Sequence, residues 1–216
     1  MPAATIRRQL MVPLRFADGY ATTARMLSFD GLADGLDHLA LGLGDRAAQP
    51  SDAASALPLV RPHSECLTGD VFGSQRCDCG AQLREAVERI AAHGGYLLYL
   101  RQEGRGIGLY DKLDAYALQD DGLDTYEANV ALGHAADTRD YTAAAQMLHA
   151  LEATNIALLS NNPDKAHQLT RLGVTIAERV ATRVHLSPSN RRYLATKAQR
   201  GAHTFDFPSH EHDRQR

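Results

Sequence analysis

The chain has 216 residues, 44% of them hydrophobic and 23% charged, which excludes wholesale disorder and leaves ample length for a buried core without disulfide staples. Lys plus Arg number 23 against 26 Asp plus Glu, a formal charge of −3, so no global positive field exists to hold nucleic acid or an anionic membrane, while a local basic pocket stays compatible with the total. No apolar run reaches membrane-spanning length, and the opening residues, with Arg7 and Arg8, lack the apolar core of a secretory signal, so the cytoplasm is the expected compartment.

The N-terminal part reads as β-rich, with strands expected over 21–29, 37–43 and 57–61 and an Ala/Ser/Asp-rich loop over 45–55. Beyond Gly80 the pattern changes. Leu83, Ala86, Val87, Ile90 and Ala91 follow helical spacing until Gly94 and Gly95 stop it, and 96–100 is a short apolar run of buried-strand type. Further helices are expected over 107–119 and 125–132 and through Tyr141, Ala144, Ala145 and Leu148. A strand over 156–159 follows, then a helix opened by Pro163 and closed at Gly173, then a strand over 174–180. This alternation predicts an α/β fold of mixed character, a β-rich N-terminal part packed with a βαβ-type core. The whole reads as a single domain over 1–203 followed by a flexible polar tail over 204–216. The histidines near the end, His203, His210 and His212, read as solvated because no periodic element positions them.

Three cysteines, Cys66, Cys77 and Cys79, fall close together. An odd number is a poor disulfide framework, and in a reducing compartment such spacing more often serves metal or catalysis. Thiolates at this density suit zinc. Structural zinc sites fill four positions with protein ligands, whereas catalytic sites use three and leave the fourth to water, so three cysteines favour a catalytic ion. A fourth ligand such as His63 would make the site structural instead. Three ordinary buried cysteines are the plainer alternative, opposed by the charged neighbours Glu65, Asp70, Arg76 and Asp78. Gly80 is expected to permit a tight turn after the pair. Glu65, next to Cys66, either shuttles protons at the metal or only orients a neighbouring group.

The run from Arg61 to Asp70, followed by Arg76-Cys77-Asp78-Cys79-Gly80 and by Arg101-Gln102-Glu103-Gly104-Arg105-Gly106-Ile107-Gly108-Leu109, resembles GTP cyclohydrolase II, which opens the purine ring of GTP at the start of riboflavin synthesis. Matching pieces continue in order through 114–120, 124–129, 133–141, 161–163 and 193–197, so the resemblance covers about 10–203. It implies one zinc ion per subunit on Cys66, Cys77 and Cys79 with water in the open position. It implies GTP held by Arg61, Pro62, His63, Ser64, Glu65, Gln82, Glu103, Gly104, Arg105, Thr125, Ser160 and Lys165, with Mg²⁺ on the triphosphate. Catalytic roles fall to Tyr116, to Asp137 as proton acceptor, to Arg139 at the α-phosphate as a proposed nucleophile, and to Glu65. The products would be formate, pyrophosphate and a diaminopyrimidinone ribosylamine phosphate, and the enzyme a homodimer.

These assignments suit the chemistry. Carbon 8 of guanine is a formamidine-like centre that hydroxide on a Lewis acid can attack. Arg61, Arg105 and Lys165 suit a triphosphate, and the backbone N–H groups of the loop at Gly104, Gly106 and Gly108 can face phosphate oxygens. Plainer readings stand beside them: a simple strand-to-helix turn for that loop, a surface ion pair for Arg139 with Asp137, a core residue for Tyr116, a solvated helix residue for Lys165. Arginine is also an odd nucleophile because it stays protonated, so charge stabilisation by Arg139 is at least an equal reading. Ser160 stands where the family usually has Thr, which keeps the hydroxyl. Pro62 stands where a β-branched residue is common, which alters a contact or marks an edge strand. Some relatives stop after ring opening and retain the formyl group, at least some of them with a changed catalytic tyrosine; Tyr116 favours the full reaction. The residues ahead of Cys66 are too few for the second enzyme domain that many relatives carry. A zinc-stabilised binding module is the reading from another class, and the −3 charge opposes it.

Overall fold

The computed structural model describes residues 2–48, 57–135, 137–187 and 189–190. The sequence motif at 193–197, part of the loop at 45–55 and the C-terminal tail with its three histidines lie outside the described residues.

Seven strands form one sheet in the order β1-β2-β3-β5-β4-β6-β7. β1 (Thr5–Arg15), β2 (Ala21–Asp30) and β3 (Leu39–Leu43) are antiparallel, and β3 joins β5 (Gly95–Leu100) antiparallel. From β5 onward, β4 (Leu59–Ser64), β6 (Asn155–Leu159) and β7 (Thr175–Val180) run parallel. The N-terminal strands therefore extend the parallel core edge to edge. β1 has no counterpart among the strands expected from sequence. Its first seven residues are exposed and among the described residues it pairs only with β2, so no alternation of apolar and polar side chains announces it.

Period-2 patterning sorts the central strands onto two faces. Val60, Tyr96, Leu98, Leu100, Ile156 and Leu158 pack with α5 (Thr142–Ala150) and α6 (Pro163–Arg171). Leu59, Leu97, Ala157 and Leu159 pack on the other face against Ala86, Val87 and Ile90 of α2 (Cys79–His93). Both faces of β4, β5 and β6 are thus covered, which explains their largely apolar sequence, whereas β7 at the edge is mostly exposed. α1 (Leu67–Asp70) lies between β4 and α2, while α3 (Leu109–Asp120) and α4 (Thr125–Ala131) follow β5. No helix among the described residues is long and apolar enough to cross a membrane.

The connections place the site. The chain leaves β4 toward β5 on one side and leaves β6 toward β7 on the other, so the path reverses between β4 and β6. Open α/β sheets bind ligands at the carboxyl ends of strands where this reversal occurs. Here the two strands part early: β4 pairs with β6 only at Leu59 and Val60, while it stays paired with β5 through Ser64. Pro62 sits in that opened stretch of an interior strand, which corrects the edge-strand expectation. Its missing N–H costs no ladder bond to β6 because the ladder has already ended.

Candidate active site

The cysteines come from two turns. After β4 the Glu65 N–H donates to Leu100 O (2.8 Å), and the Cys66 N–H donates to the buried Asp70 carboxylate (3.0 Å). Cys77 and Cys79 arrive at the start of α2. The three Sγ atoms lie within 4.8 Å of one another, with Cys66 and Cys77 3.7 Å apart. Tetrahedral zinc with sulfur bonds of about 2.3 Å would set sulfurs roughly 3.8 Å apart. Gly69 gives a second measure of the fit: a Cβ there would lie 2.8 Å from Cys77 Sγ and 3.1 Å from Cys66 Sγ, so the fold reserves the space among the thiols. Gly80 serves by close approach, since a Cβ would meet Gly69 O at 2.4 Å; it lies inside α2, and the tight-turn expectation is corrected. Among the described residues no fourth His, Cys, Asp or Glu joins the group. His63 is turned elsewhere: its Nε2 shares hydrogen bonds of 3.1 and 3.2 Å with Asp70, and its ring stacks on Tyr99.

The thiols are electrostatically unequal. Hydrogen bonds from Cys77 and Cys79, aided by Lys112, hold Cys66 toward the thiolate. Sharing with Cys66 pushes Cys77 up to about 11 and Cys79 well above its ordinary value, with burial acting the same way. Three sulfurs that share protons in this way suit a divalent cation, which would replace those protons.

A cleft opens over the thiols. Arg61, Arg76, Arg105, Lys112, Arg139 and Lys165 line it, against the carboxylates Glu65 and Glu103. A weakly acidic chain therefore concentrates cations at one cavity, which suits a polyanionic ligand. Arg61 is buried on the floor, donating to Gln82 Oε1 (2.7 Å) and Leu159 O (3.3 Å), and Gln82 Nε2 donates to Asp78 (2.5 Å). Lys165 is buried too and donates to Pro62 O (2.7 Å) across the gap between β4 and β6, which removes the solvated-helix reading. Ser160 Oγ accepts the Asn162 N–H (3.1 Å). Glu65 accepts from Arg101 Nε (2.8 Å). Of the residues expected at the site, Pro62 and Asp137 are the two that do not line the cleft; each holds a residue that does.

The loop after β5 is shaped by left-handed backbone at Gly104 (φ 62°) and at Arg105 (φ 64°), an uncommon conformation outside glycine. The Arg105 carbonyl accepts both Thr138 N (3.1 Å) and Thr138 Oγ1 (2.9 Å). A Cβ at Gly106 would strike Thr138 Oγ1 at 2.4 Å. This staple brings Arg139 beside Arg105. The Arg105 guanidinium lies 4.3 Å from the centre of the Tyr126 ring. Tyr126 is fixed by a capping box, in which Asp124 accepts the Tyr126 and Glu127 N–H groups and Glu127 accepts the Asp124 N–H; the same cap sets Thr125 on the cleft wall. Arg139 donates through Nε to Asp137 Oδ1 (2.9 Å) and through Nη2 to Oδ2. Burial would raise the Asp137 pKa, but the bonds from Arg139 more than reverse it and hold the carboxyl below its ordinary value.

Tyr116 points its hydroxyl at Thr68 Oγ1 (3.3 Å), and burial raises its pKa, so it keeps its proton at neutral pH. Sequence reasoning missed Arg76, which grips Asp120 with two 2.7 Å bonds and ties the cysteine loop to α3. It also missed Lys112. Burial lowers an ammonium's pKa, but hydrogen bonding to Glu103 and the charge of Cys66 raise it on balance, so Lys112 stays charged. Its one early signal was its place four residues before Tyr116, on the same helix face.

Fold and site together define an α/β enzyme that presents a thiolate triad fit for zinc to an anionic ligand. A family model described as GTP cyclohydrolase II matches residues 11–181. The chain is 47% identical over 197 residues to a protein of Psychromonas ingrahamii named GTP cyclohydrolase-2, covering 91% of this chain and 96% of that protein. It is 51% identical to the one of Vibrio vulnificus (83% and 88% covered) and 54% identical to that of Hahella chejuensis (82% and 84% covered), both of the same name. The chain belongs to the GTP cyclohydrolase II family.

Proposed function

We propose that the protein hydrolyses GTP at the imidazole ring, yielding formate, pyrophosphate and the diaminopyrimidinone ribosylamine phosphate that opens riboflavin synthesis. The family match and the cation-lined cleft over three thiols carry this reading. Zinc on Cys66, Cys77 and Cys79 would supply Lewis acidity and an acidified water. The remaining work belongs to the chain. Arg105, Arg139 and Lys165 face the triphosphate, with Mg²⁺ sharing its charge, while Arg61, His63, Ser64, Gln82, Thr125 and Ser160 shape the wall that receives the nucleoside. Tyr116 holds its proton on the thiol side of the cleft and shares a hydrogen bond with Thr68 there. Arg139 stays protonated beside Asp137 and acts by charge on the phosphate; Asp137, its basicity lowered, orients Arg139.

Zinc-loaded protein given GTP and Mg²⁺ is expected to release formate and pyrophosphate in equal amounts. Cys77→Ser is expected to lose zinc and all turnover. Arg139→Ala is expected to keep zinc and lose about 100-fold or more in kcat. No consumption of GTP by zinc-loaded protein sinks the reading, and a product that retains the formyl mass converts it to a ring-opening enzyme only.

A cytoplasmic homodimer completes the proposal. Among the described residues nothing pairs with the outer edge of β1, and Leu10 and Met11 are more than half exposed, surface suited to a second copy. Sedimentation should give twice the 23.5 kDa chain mass; a species of one chain mass removes the dimer.

A further inference from the structure

Lys112 belongs to none of the roles assigned above. It projects from α3, is 9% exposed, and sits between the cysteine turn and the loop after β5. Its Nζ donates to Glu103 Oε1 (2.7 Å), Thr68 Oγ1 (3.0 Å) and Cys66 Sγ (3.1 Å). An ammonium has three protons, and all three have an acceptor within the protein. Lys112 is therefore saturated before any ligand arrives. Its position is fixed from two sides. Glu103 Oε2 accepts the Leu67 N–H (2.6 Å) at the head of α1, and Oε1 also accepts the Gly104 N–H (2.8 Å). The carboxylate bridges the two turns that frame the site, and the ammonium it holds reaches the one cysteine that comes from the first turn.

We infer that Lys112 is a positioning residue for the metal centre, holding Cys66 Sγ in place and drawing electron density from it. The inference rests on the zinc reading above. A divalent ion with three thiolates carries one net negative charge, which blunts its power to polarise a ligand. A cation donating to one sulfur offsets that charge and weakens that sulfur's donation, so the metal is a stronger Lewis acid. Outer partners of metal ligands commonly act in this way, and removing one typically costs about 10- to 100-fold in affinity or activity.

Cobalt(II) substitution tests it through the sulfur-to-cobalt charge-transfer absorption. In Lys112→Met the sulfur lone pairs lose their cation and rise in energy, so the band should move to longer wavelength. Lys112→Arg, which still donates, should return it toward the wild-type position. With zinc, Lys112→Met should lower kcat by about 10- to 100-fold while KM for GTP changes little. The double variant Lys112→Met with Glu103→Gln removes ammonium and carboxylate together, leaves no lone buried charge, and should show the same band shift if the single variant fails to fold. An unmoved band in either variant overturns the inference, and an unmoved band with a raised KM reassigns Lys112 to the substrate. Wild-type protein that shows no sulfur-to-cobalt band at all would instead overturn the zinc reading itself.

Discussion

Gly69 occupies the point where the three cysteine side chains converge. Substituting Ala there adds a single methyl group, and the nearest atoms it meets are Cys77 Sγ, Cys66 Sγ and Cys79 Cβ at 2.8, 3.1 and 3.2 Å. Real Cβ atoms essentially never show a contact as short as 2.8 Å and the other two are tight, so the sulfurs must give way because the methyl is tied to the α1 backbone. Alanine's helix preference over glycine is worth up to about 1 kcal/mol, while overpacking costs about 1–3 kcal/mol. The net effect on folding is therefore small, and the larger effect falls on sulfur spacing. Gly69→Ala is expected to weaken zinc binding at least about tenfold, with thermal unfolding of the metal-free protein shifted by only a few degrees. Competition against a chelating dye measures the first and calorimetry the second. Wild-type zinc affinity in this variant would show that the thiols have room to spare. At this scale the cysteines themselves were legible from type and spacing, whereas Gly69 was not: its importance lies in what a Cβ would touch, and no local pattern encodes that. Lys112 was hidden for a related reason, because its acceptors sit at 66, 68 and 103 and converge only in the folded chain.

Elements were legible where one face of each is buried. α2 repeats its apolar residues at helical spacing because Ala86, Val87 and Ile90 all press on the sheet, and α6 opens with Pro163 behind the Asn162 cap, whose side chain accepts the Asp164 N–H. β1 was illegible for the converse reason, since its partner is a backbone edge and its side chains meet mainly solvent. The helix expected over 107–119 forms as α3, which begins two residues later, at Leu109 after Gly108 (φ 94°). The run just before it turns left-handed at Gly104 and Arg105, held by the long-range bonds from Thr138 to the Arg105 carbonyl, which no local pattern shows. Pro62 shows the same limit. Its consequence depended on where β6 stops accompanying β4, a property of the sheet that no single strand carries.

Across the whole molecule, the segment after β7 returns over α2 and closes the site from behind. Asn161 exchanges two bonds with Thr182, donating to its carbonyl (2.9 Å) and accepting its N–H (2.9 Å), and Thr182 itself lines the cleft. Further along, the Glu85 carboxylate on α2 accepts the Arg183 N–H (3.1 and 3.2 Å) and bonds His185 Nε2 (2.9 Å) and Arg89 (2.9 Å), while Arg89 also donates to Ala181 O (2.7 Å). Burial alone would raise the Glu85 pKa. The bonds from His185, Arg183 and Arg89 outweigh it and bring the value down to about 2 from an ordinary 4.5. A carboxyl depressed by folding contributes stability that is fully present above its unfolded pKa and is lost as pH falls through the folded one. The window here runs from about pH 4.5 down to about pH 2. With allowance for solvent screening, the contribution is about 1–2 kcal/mol. Glu85→Gln should therefore be less stable than wild type by about that amount at pH 7, and the two should converge as pH falls through the window. Urea unfolding at pH 7, 4.5 and 3 measures the difference. Because every other carboxyl titrates alike in both proteins, the gap between the two curves isolates this strap. A gap that stays constant with pH would mean that Glu85 holds the segment by shape and hydrogen bonding alone, with its charge contributing nothing.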